Sequence, residues 1–428
     1  MATAFDTYVI SFGDRLSETD LTDRVQGFTT TAEVGLGELG TSSAQVTLKN
    51  FDGAFIPAEG GGNGTYKDVD WRTQRLTISV ETAFRQVLNF QGVITAISFD
   101  DNGVYSTVTL SARDWMQVAT GEQATLTQGT QFSINNALNN ALDGVNGWGA
   151  GVTLPEFGDS AAVQSPVCFV YGIENKQVQR PAVSNVTAVD IIGNVLLPSG
   201  PFVHYVGQIA FQYVPTKFNN FTSFVVTSSL SKGLTTGQVV FNETPSGTSV
   251  ASTELPIFEL SSGFNDDAIT NDTQITSLIS GTTQQQAVND DSIAKYGQRT
   301  RFYSSTANAT NADASDVANF WTSRQGTPRY SPLKITTKLS MIEAFCGVNA
   351  YLQLSYLFSN EVLWSTATIT ATPTGGVSTT TGNVVYKRTV NATPSDTTIT
   401  LDLLPAQDYQ SFVLDSSTLG VLDTNRLG

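Results

Sequence analysis

The ten residues Leu48-Lys-Asn-Phe-Asp-Gly-Ala-Phe-Ile-Pro57 hold a strand end, an Asp-Gly turn and a proline stop in one run. Asp52 can bond back to its own chain and Gly53 can take the positive φ of a tight turn, so a strand ending near Asn50 has to reverse there. Pro57 and the glycine-rich stretch from Gly60 to Gly64 then bar regular structure until Trp71. A chain punctuated this way favours short antiparallel strands. The run Glu59-Gly-Gly-Gly-Asn-Gly64 lacks a following Gly-Lys-Ser/Thr and a strand-to-helix context, so it reads as a flexible surface loop and not as a phosphate loop.

Further along, Val93, Thr95, Ile97 and Phe99 alternate with smaller residues, and Val104, Ser106, Val108 and Leu110 do the same beyond Asp100-Asp101-Asn102-Gly103. This predicts a β-hairpin closed by a two-residue type I′ turn at Asn102-Gly103, where both positions need φ above zero. With strands at 44–50 and 75–81, residues 1–119 are expected to form a small antiparallel barrel or sandwich. From Thr130 the spacing of Ile134, Leu138, Ala141, Leu142 and Val145 is helical, and a second helix is expected from Ser184 through Val189, Ile192 and Leu196. Phe202 to Val214 looks strand-like, so residues 120–231 read as a peripheral α+β domain. Residues 232–332 read as an irregular β linker or insert with a helix near 313–325. Alternation at 333–339, 383–390, 397–403 and 410–414 predicts a second antiparallel β-barrel over residues 333–428, ending in an extended tail. The fold class expected is mainly β with minor α: two tube-like barrels flanking the α+β middle.

Composition agrees. Charged residues make up only 14% of the 428, against roughly 25% in ordinary soluble domains, while 36 glycines and 24 phenylalanines suit turns and pleated surfaces. The formal charge of −16 leaves no basic surface for wrapping nucleic acid, although an acidic wall can keep a passing polyanion from sticking. Met1 to Ile10 has no basic region ahead of a long apolar run, and no stretch of eighteen apolar residues occurs, so the chain is expected to be soluble and made in the cytosol.

No catalytic, cofactor or metal site emerges. His204 is the single histidine, in an apolar run without a nucleophile elbow, and reads as structural. Cys168 and Cys346 lack metal or redox spacing and read as buried apolar residues. Asn265-Asp-Asp267 and Asn289-Asp-Asp291 miss the alternation and late Glu of a calcium loop, which leaves helix caps or turns. Adjacent Asp100 and Asp101 suit a solvated turn better than glycosidase chemistry. Trp71, Trp115, Trp148, Trp321 and Trp364 are spread along the chain and read as core or interface anchors.

The run Leu48–Pro57, then Phe90-Gln-Gly-Val93, then Leu110-Ser-Ala-Arg-Asp-Trp-Met116 resembles, in that order, the first domain of tailed-bacteriophage tail hub proteins, the baseplate hub or tail-tip (minor tail) family. Asn289-Asp-Asp-Ser-Ile-Ala-Lys-Tyr-Gly-Gln-Arg299, followed by Ala318-Asn-Phe-Trp321 and Pro328-Arg-Tyr330, is similar to the segment before the linking helix of that family. The ending Phe412 to Asp423 is similar to the close of such chains. The positions carrying the resemblance are Asn50, Asp52, Gly53, Pro57, Asp114, Ser292, Tyr296, Gly297, Leu414, Asp415 and Gly420. The stretch between Phe218 and Gln286 fits it least.

What the resemblance implies is a non-enzymatic virion protein of the tail tip, assembled in the host cytoplasm. It implies a homotrimer whose two barrels per chain make a ring of six, adapting a sixfold tail tube to a threefold tip. Partners would be a tail-tube or distal tail protein above and a tip, spike or fibre protein below, with DNA passing without sticking. Candidate subunit contacts are Val93, Thr95, Ile97, Phe99, Val104, Val108 and Leu110, since barrel edges extend sheets through backbone hydrogen bonds. Two other classes stand beside this reading: a distal tail or receptor-binding module with carbohydrate sites, and a tail-associated cell-wall hydrolase.

Overall fold

The computed structural model describes residues 7–113 and 239–405 with short gaps, and between residues 123 and 228 individual strands only. Its N-terminal part comprises β1 (Thr7–Gly13), β2 (Glu18–Asp20), β3 (Val25–Glu33), β4 (Gly35–Leu36), β5 (Ser42–Lys49), β6 (Arg75–Glu81), β7 (Gln86–Asp101) and β8 (Ser106–Arg113). In the middle lie β9 (Gln123–Leu126), β10 (Gly129–Ser133), β11 (Cys168–Val170), β12 (Gln177–Arg180), β13 (Val183–Thr187), β14 (Ile209–Pro215) and β15 (Thr222–Ser228). The C-terminal part holds β16 (Val239–Asn242), β17 (Leu255–Pro256), β18 (Glu259–Phe264), β19 (Asp272–Ser277), β20 (Gln285–Val288), β21 (Thr300–Thr306), β22 (Tyr330–Lys338), β23 (Thr366–Ala371), β24 (Thr379–Ala392) and β25 (Thr397–Pro405). Four α-helices are described: α1 (Asp290–Tyr296), α2 (Asn311–Gln325), α3 (Leu339–Cys346) and α4 (Tyr351–Phe358).

The mainly-β expectation holds. Fourteen strands form one sheet, running β17-β16-β23-β24-β3-β5-β8-β7-β6-β1-β2, with β25, β22 and β18 branching from β24. Alternation explains β3, β5 and β25, while β6 is a continuous apolar run buried on both faces. In β5, Ser42, Ala44, Val46 and Leu48 turn inward while Ser43, Gln45 and Lys49 face solvent. The long strand β24 is the junction. One of its edges pairs first with β23, through residues 379–384, and then with β3, through residues 387–392, while its other edge pairs with β25. With β24 counted in the C-terminal half, each half has seven strands.

Strand pairing closes no ring among the described residues, yet each half begins and ends its path on neighbouring strands of one chain segment. In the N-terminal half these are β2 and β3, and Leu21 between them donates its N–H to the Ile10 carbonyl at 2.8 Å. In the C-terminal half they are β17 and β18, separated by Ile257 and Phe258, with the Phe258 N–H on the Thr336 carbonyl at 2.9 Å.

One hydrophobic core serves both halves. Ile10, Val46, Ile78 and Leu110 from the first half join Phe241, Ile335, Val390 and Leu401 from the second, all within 1% of full burial. The helices α3 and α4 complete it through Leu339, Ile342, Leu354, Leu357 and Phe358. The spacing 339, 342, 346 and 354, 357, 358 is helical and broken at Gly347, so this part of the region expected to be β is helix.

Several boundaries differ from expectation. β16 to β18 share the main sheet with β22 to β25, so the C-terminal half begins near residue 239, not at 333. Residues 269–328 form a compact α+β lobe instead of an irregular linker: β20-β19-β21 make a three-stranded sheet, and α2 packs on it through Ala314, Ala318 and Trp321. The helix expected near 313–325 is α2. The helix expected from Ser184 begins instead in β13, where Val183, Val186 and Thr187 pair antiparallel with β9, and the β-branched residues decide in favour of strand. The helix expected over 134–145 and the strand expected over 410–414 lie outside the described residues.

Candidate assembly interface

The Asn50–Pro57 turn is built as its residues require. Gly53 has φ of 65° and donates its N–H to the Asn50 carbonyl at 3.0 Å. The Asn50 side chain, 1% exposed, accepts from the Phe55 N–H at 3.1 Å. Asp52 receives both guanidinium nitrogens of Arg24, at 2.9 and 2.7 Å, and that side-chain hydrogen bonding lowers its carboxyl to about 2. The turn thereby fastens β5 to the segment between β2 and β3. Pro57 precedes a single 3-10 turn, Ala58–Gly60.

The glycine stretch beyond it folds back on its own chain and is no loose surface loop. Gly62 donates to the Pro57 carbonyl, Ala58 to the Lys67 carbonyl and Tyr66 to the Ala54 carbonyl, at 3.0, 3.1 and 2.9 Å. Tyr66 and Trp71 pack on each other and on both Phe12 and Phe55, at ring separations of 4.6 to 6.1 Å. Trp71 is thus a core anchor, as Trp321 is in the lobe.

The expected hairpin is β7 with β8, but its register differs. Asp101 pairs with Ser106, which leaves four residues in the connection where a type I′ turn at Asn102-Gly103 would leave two. The candidate contacts divide accordingly. Val108 and Leu110 are fully buried on β8, which β5 and β7 flank on both edges, so they are core residues and have no free edge to offer. Val93 pairs with β6 and β8 and is 9% exposed. Thr95, Ile97 and Phe99 lie past Arg75, the first residue of β6, and no strand pairs with that outer edge among the described residues. Phe99 is 42% exposed. Val104 lies outside the described residues. The strand β18 is a longer open edge than the terminal strands β2 and β17: it pairs with β22 alone and ends in Phe264, which is 59% exposed.

Between the halves lies a buried polar joint that the sequence reading did not single out. Arg388 on β24 has no exposed surface and donates to the carbonyls of Phe358 at 2.6 Å, Leu357 at 3.4 Å and Asn89 at 3.1 Å. Asn89 is the extra residue where β7 bulges against β6, between the pairs Ile78↔Phe90 and Ser79↔Leu88. The bulge frees its carbonyl and turns its side chain inward, where it donates to Phe358 and accepts from Thr30 Oγ1 at 2.6 Å. Burial lowers the Arg388 guanidinium to about 9, so it stays charged at neutral pH. A signal existed: Arg388 shares the inward parity of Val384, Val390 and Ala392.

The remaining motif positions fall in two groups. Ser292, Tyr296 and Gly297 belong to α1, whose cap is Asn289, accepting from the Ser292 N–H at 3.0 Å. Buried Ser292 donates to the Gly326 carbonyl, and Asn271 Nδ2 reaches Ser292 Oγ at 3.1 Å and the Gly297 carbonyl at 2.8 Å. This ties α1 to the end of α2, so Asn289-Asp-Asp291 is a helix cap. Asp114, Leu414, Asp415, Gly420 and His204 lie outside the described residues. Cys346 is buried and donates to the Glu254 carbonyl at 3.2 Å.

No protein-family model and no curated protein matches the sequence. The fold does have solved counterparts. The tail protein from Neisseria meningitidis MC58 superposes with a TM-score of 0.54 at 10% identity, over 94% of this chain and 98% of that one. The 43 kDa tail protein of prophage MuSo2 from Shewanella oneidensis gives 0.53 at 10% identity, over 94% and 100%. At such identity the likeness is one of fold, and it extends over nearly the whole length of each chain. The phage tail resemblance seen in the sequence is met by the fold.

Proposed function

We propose that this chain is a non-catalytic structural subunit of a phage-type tail, located at the hub or tip of the virion tail. Three copies would form a ring in which the two halves of each chain act as six equivalent tube-like barrels around a DNA channel. The observation that carries this reading is the like construction of the halves: seven strands each, each path beginning and ending on one chain segment, joined edge to edge through β24 and β3. That joint is a working example, within one chain, of how such modules link by backbone hydrogen bonds. The near full-length likeness to two tail proteins supports the same reading.

On this reading the barrels are residues 1–119 and a C-terminal module of 239–264 with 330–405, while the 120–231 region and the 269–328 lobe sit peripherally. The open edges at residues 95–101 and 259–264 are the proposed subunit contacts. A tube or distal tail protein would stack above the ring and a spike or fibre protein below. The formal charge of −16 would let DNA pass without adhering. The test is light-scattering mass of the purified chain together with electron-microscope images along the symmetry axis. A threefold ring with six lobes is expected, weakened by Phe264→Lys at the open edge. A monomer that forms no ring, alone or with its tail-tube protein, would refute the proposal.

A further inference from the structure

The sheet of the 269–328 lobe has one face covered by α2 and one that is not. Alternation places Thr273, Ile275 and Ala287 toward α2, and Asp272 and Gln274 on the opposite face. Pairing adds Gln286 and Val288 from β20 and Thr300 and Phe302 from β21 to that face. At its centre Asp272 is wholly buried, and its carboxylate accepts from Gln286 Nε2 at 2.8 Å, Gln298 Nε2 at 2.7 Å, Thr300 Oγ1 at 2.9 Å and Gln274 Nε2 at 3.1 Å.

A carboxylate only accepts, so each of these amides must point its NH2 at Asp272 and its carbonyl oxygen away from it. The oxygen of Gln274 is taken by Gln284 Nε2 at 2.6 Å. Those of Gln286 and Gln298 accept no hydrogen bond among the described residues, and both side chains are exposed. Beside them Phe302, the cross-strand partner of Gln274, is 57% exposed, and Val288 is 45% exposed. The face therefore offers fixed, outward acceptors next to an apolar ring.

We propose that this face binds a neutral saccharide, with the apolar side of a sugar ring on Phe302 and sugar hydroxyls donating to Gln286 Oε1 and Gln298 Oε1. The electrostatics select this class. The four donors around buried Asp272 already occupy its lone pairs, which leaves no open position to coordinate a cation, and its negative charge disfavours an anion. A polyol needs neither charge, and acceptors held in place beforehand lose little freedom when it binds. The inference concerns the lobe alone and stands whether or not the chain forms a ring.

The full-length chain, with neutral mono- and disaccharides of glucose, galactose, mannose, rhamnose and N-acetylglucosamine, is the material for the test. Saturation-transfer NMR at about 10 mM sugar registers even a millimolar Kd. Transfer to at least one sugar is expected, weakened about tenfold or more by Phe302→Ala and by Gln286→Ala. Phe302 lies outside the lobe core, so its variant is expected to keep the parent melting temperature and remains informative if Gln286→Ala loosens the sheet. Absence of transfer to every sugar overturns the proposal, as does transfer that survives Phe302→Ala. A Phe302→Ala variant that changes subunit association while no sugar binds also overturns it, in favour of a protein contact.

Discussion

The side-chain amide of Asn89 donates to the main-chain carbonyl of Phe358 at 2.8 Å, joining residues 269 positions apart. Arg388 reaches the same carbonyl at 2.6 Å, so a β-bulge, a helix end and the junction strand converge on one oxygen.

Arg388 is therefore expected to be intolerant of replacement. Arg388→Met would take this donor from the buried carbonyls of Leu357 and Asn89, while Phe358 keeps the Asn89 amide, and at about 1–3 kcal/mol each the loss is about 2–6 kcal/mol. Arg388→Lys should rescue little, because one ammonium cannot reproduce the spread of the guanidinium. Denaturant midpoints of the three proteins check this, and a variant within about 0.5 kcal/mol of the parent would contradict it.

The Arg24–Asp52 pair is bidentate but half exposed, so its contribution is expected to stay below about 1 kcal/mol and to shrink in salt. Its pH dependence has a definite sign. The folded carboxyl is lowered from 3.8 to about 2, so the pair contributes fully above about pH 4 and is lost as pH falls through 2. Acid unfolding of Asp52→Asn against the parent reads the difference.

Glycines in the 60–64 loop should differ sharply. A Cβ at Gly64 would overlap the Ala54 backbone, whereas at Gly61, with φ of 80°, it would meet open space. Gly61→Ala is expected to cost only the left-handed penalty of about 1–2 kcal/mol. Gly64→Ala should cost more and disturb the Phe12, Phe55, Tyr66 and Trp71 cluster, visible in near-ultraviolet circular dichroism.

Asp272 makes the lobe sensitive to acid. Burial pushes its carboxyl up, but the donors from Gln286, Gln298, Thr300 and Gln274 together outweigh this and hold it below the usual range. A lowered folded value means stability that is present above about pH 4 and lost as pH falls through that value. Asp272→Asn would turn an NH2 toward those donors and is expected to raise hydrogen exchange in β19 to β21 ahead of the main sheet.

Much of the sheet was legible because it rests on period-two alternation, which β3, β5 and β25 keep and β24 keeps over residues 388–392. Legibility failed where tertiary geometry overrode a local signal. Asn102-Gly103 carries the residues of a tight turn, but pairing of Asp101 with Ser106 sets a wider connection. Ser184 offered a helix cap, while β9 offered Val183 and Val186 a partner strand. The helices α3 and α4 show weak polar contrast because both are packed against the shared core. Arg388 was marked by its parity with Val384 and Val390, but its partner Asn89 depends on a bulge, and a bulge leaves no mark in hydrophobic spacing. On the lobe, the glutamines read only as polar content until the sheet gathered them around Asp272.

The pairing of β24 with β3 also sets an order of events during synthesis. Thr29 and Asn391, whose side chains meet at 3.2 Å across that pairing, are 362 residues apart. At about 5–20 residues per second, translation leaves the edge of β3 without its partner for roughly 20–70 s. A bare strand edge is a template for association with other chains throughout that interval. The first half thus reaches its final, covered form only after the last strands of the second have been made.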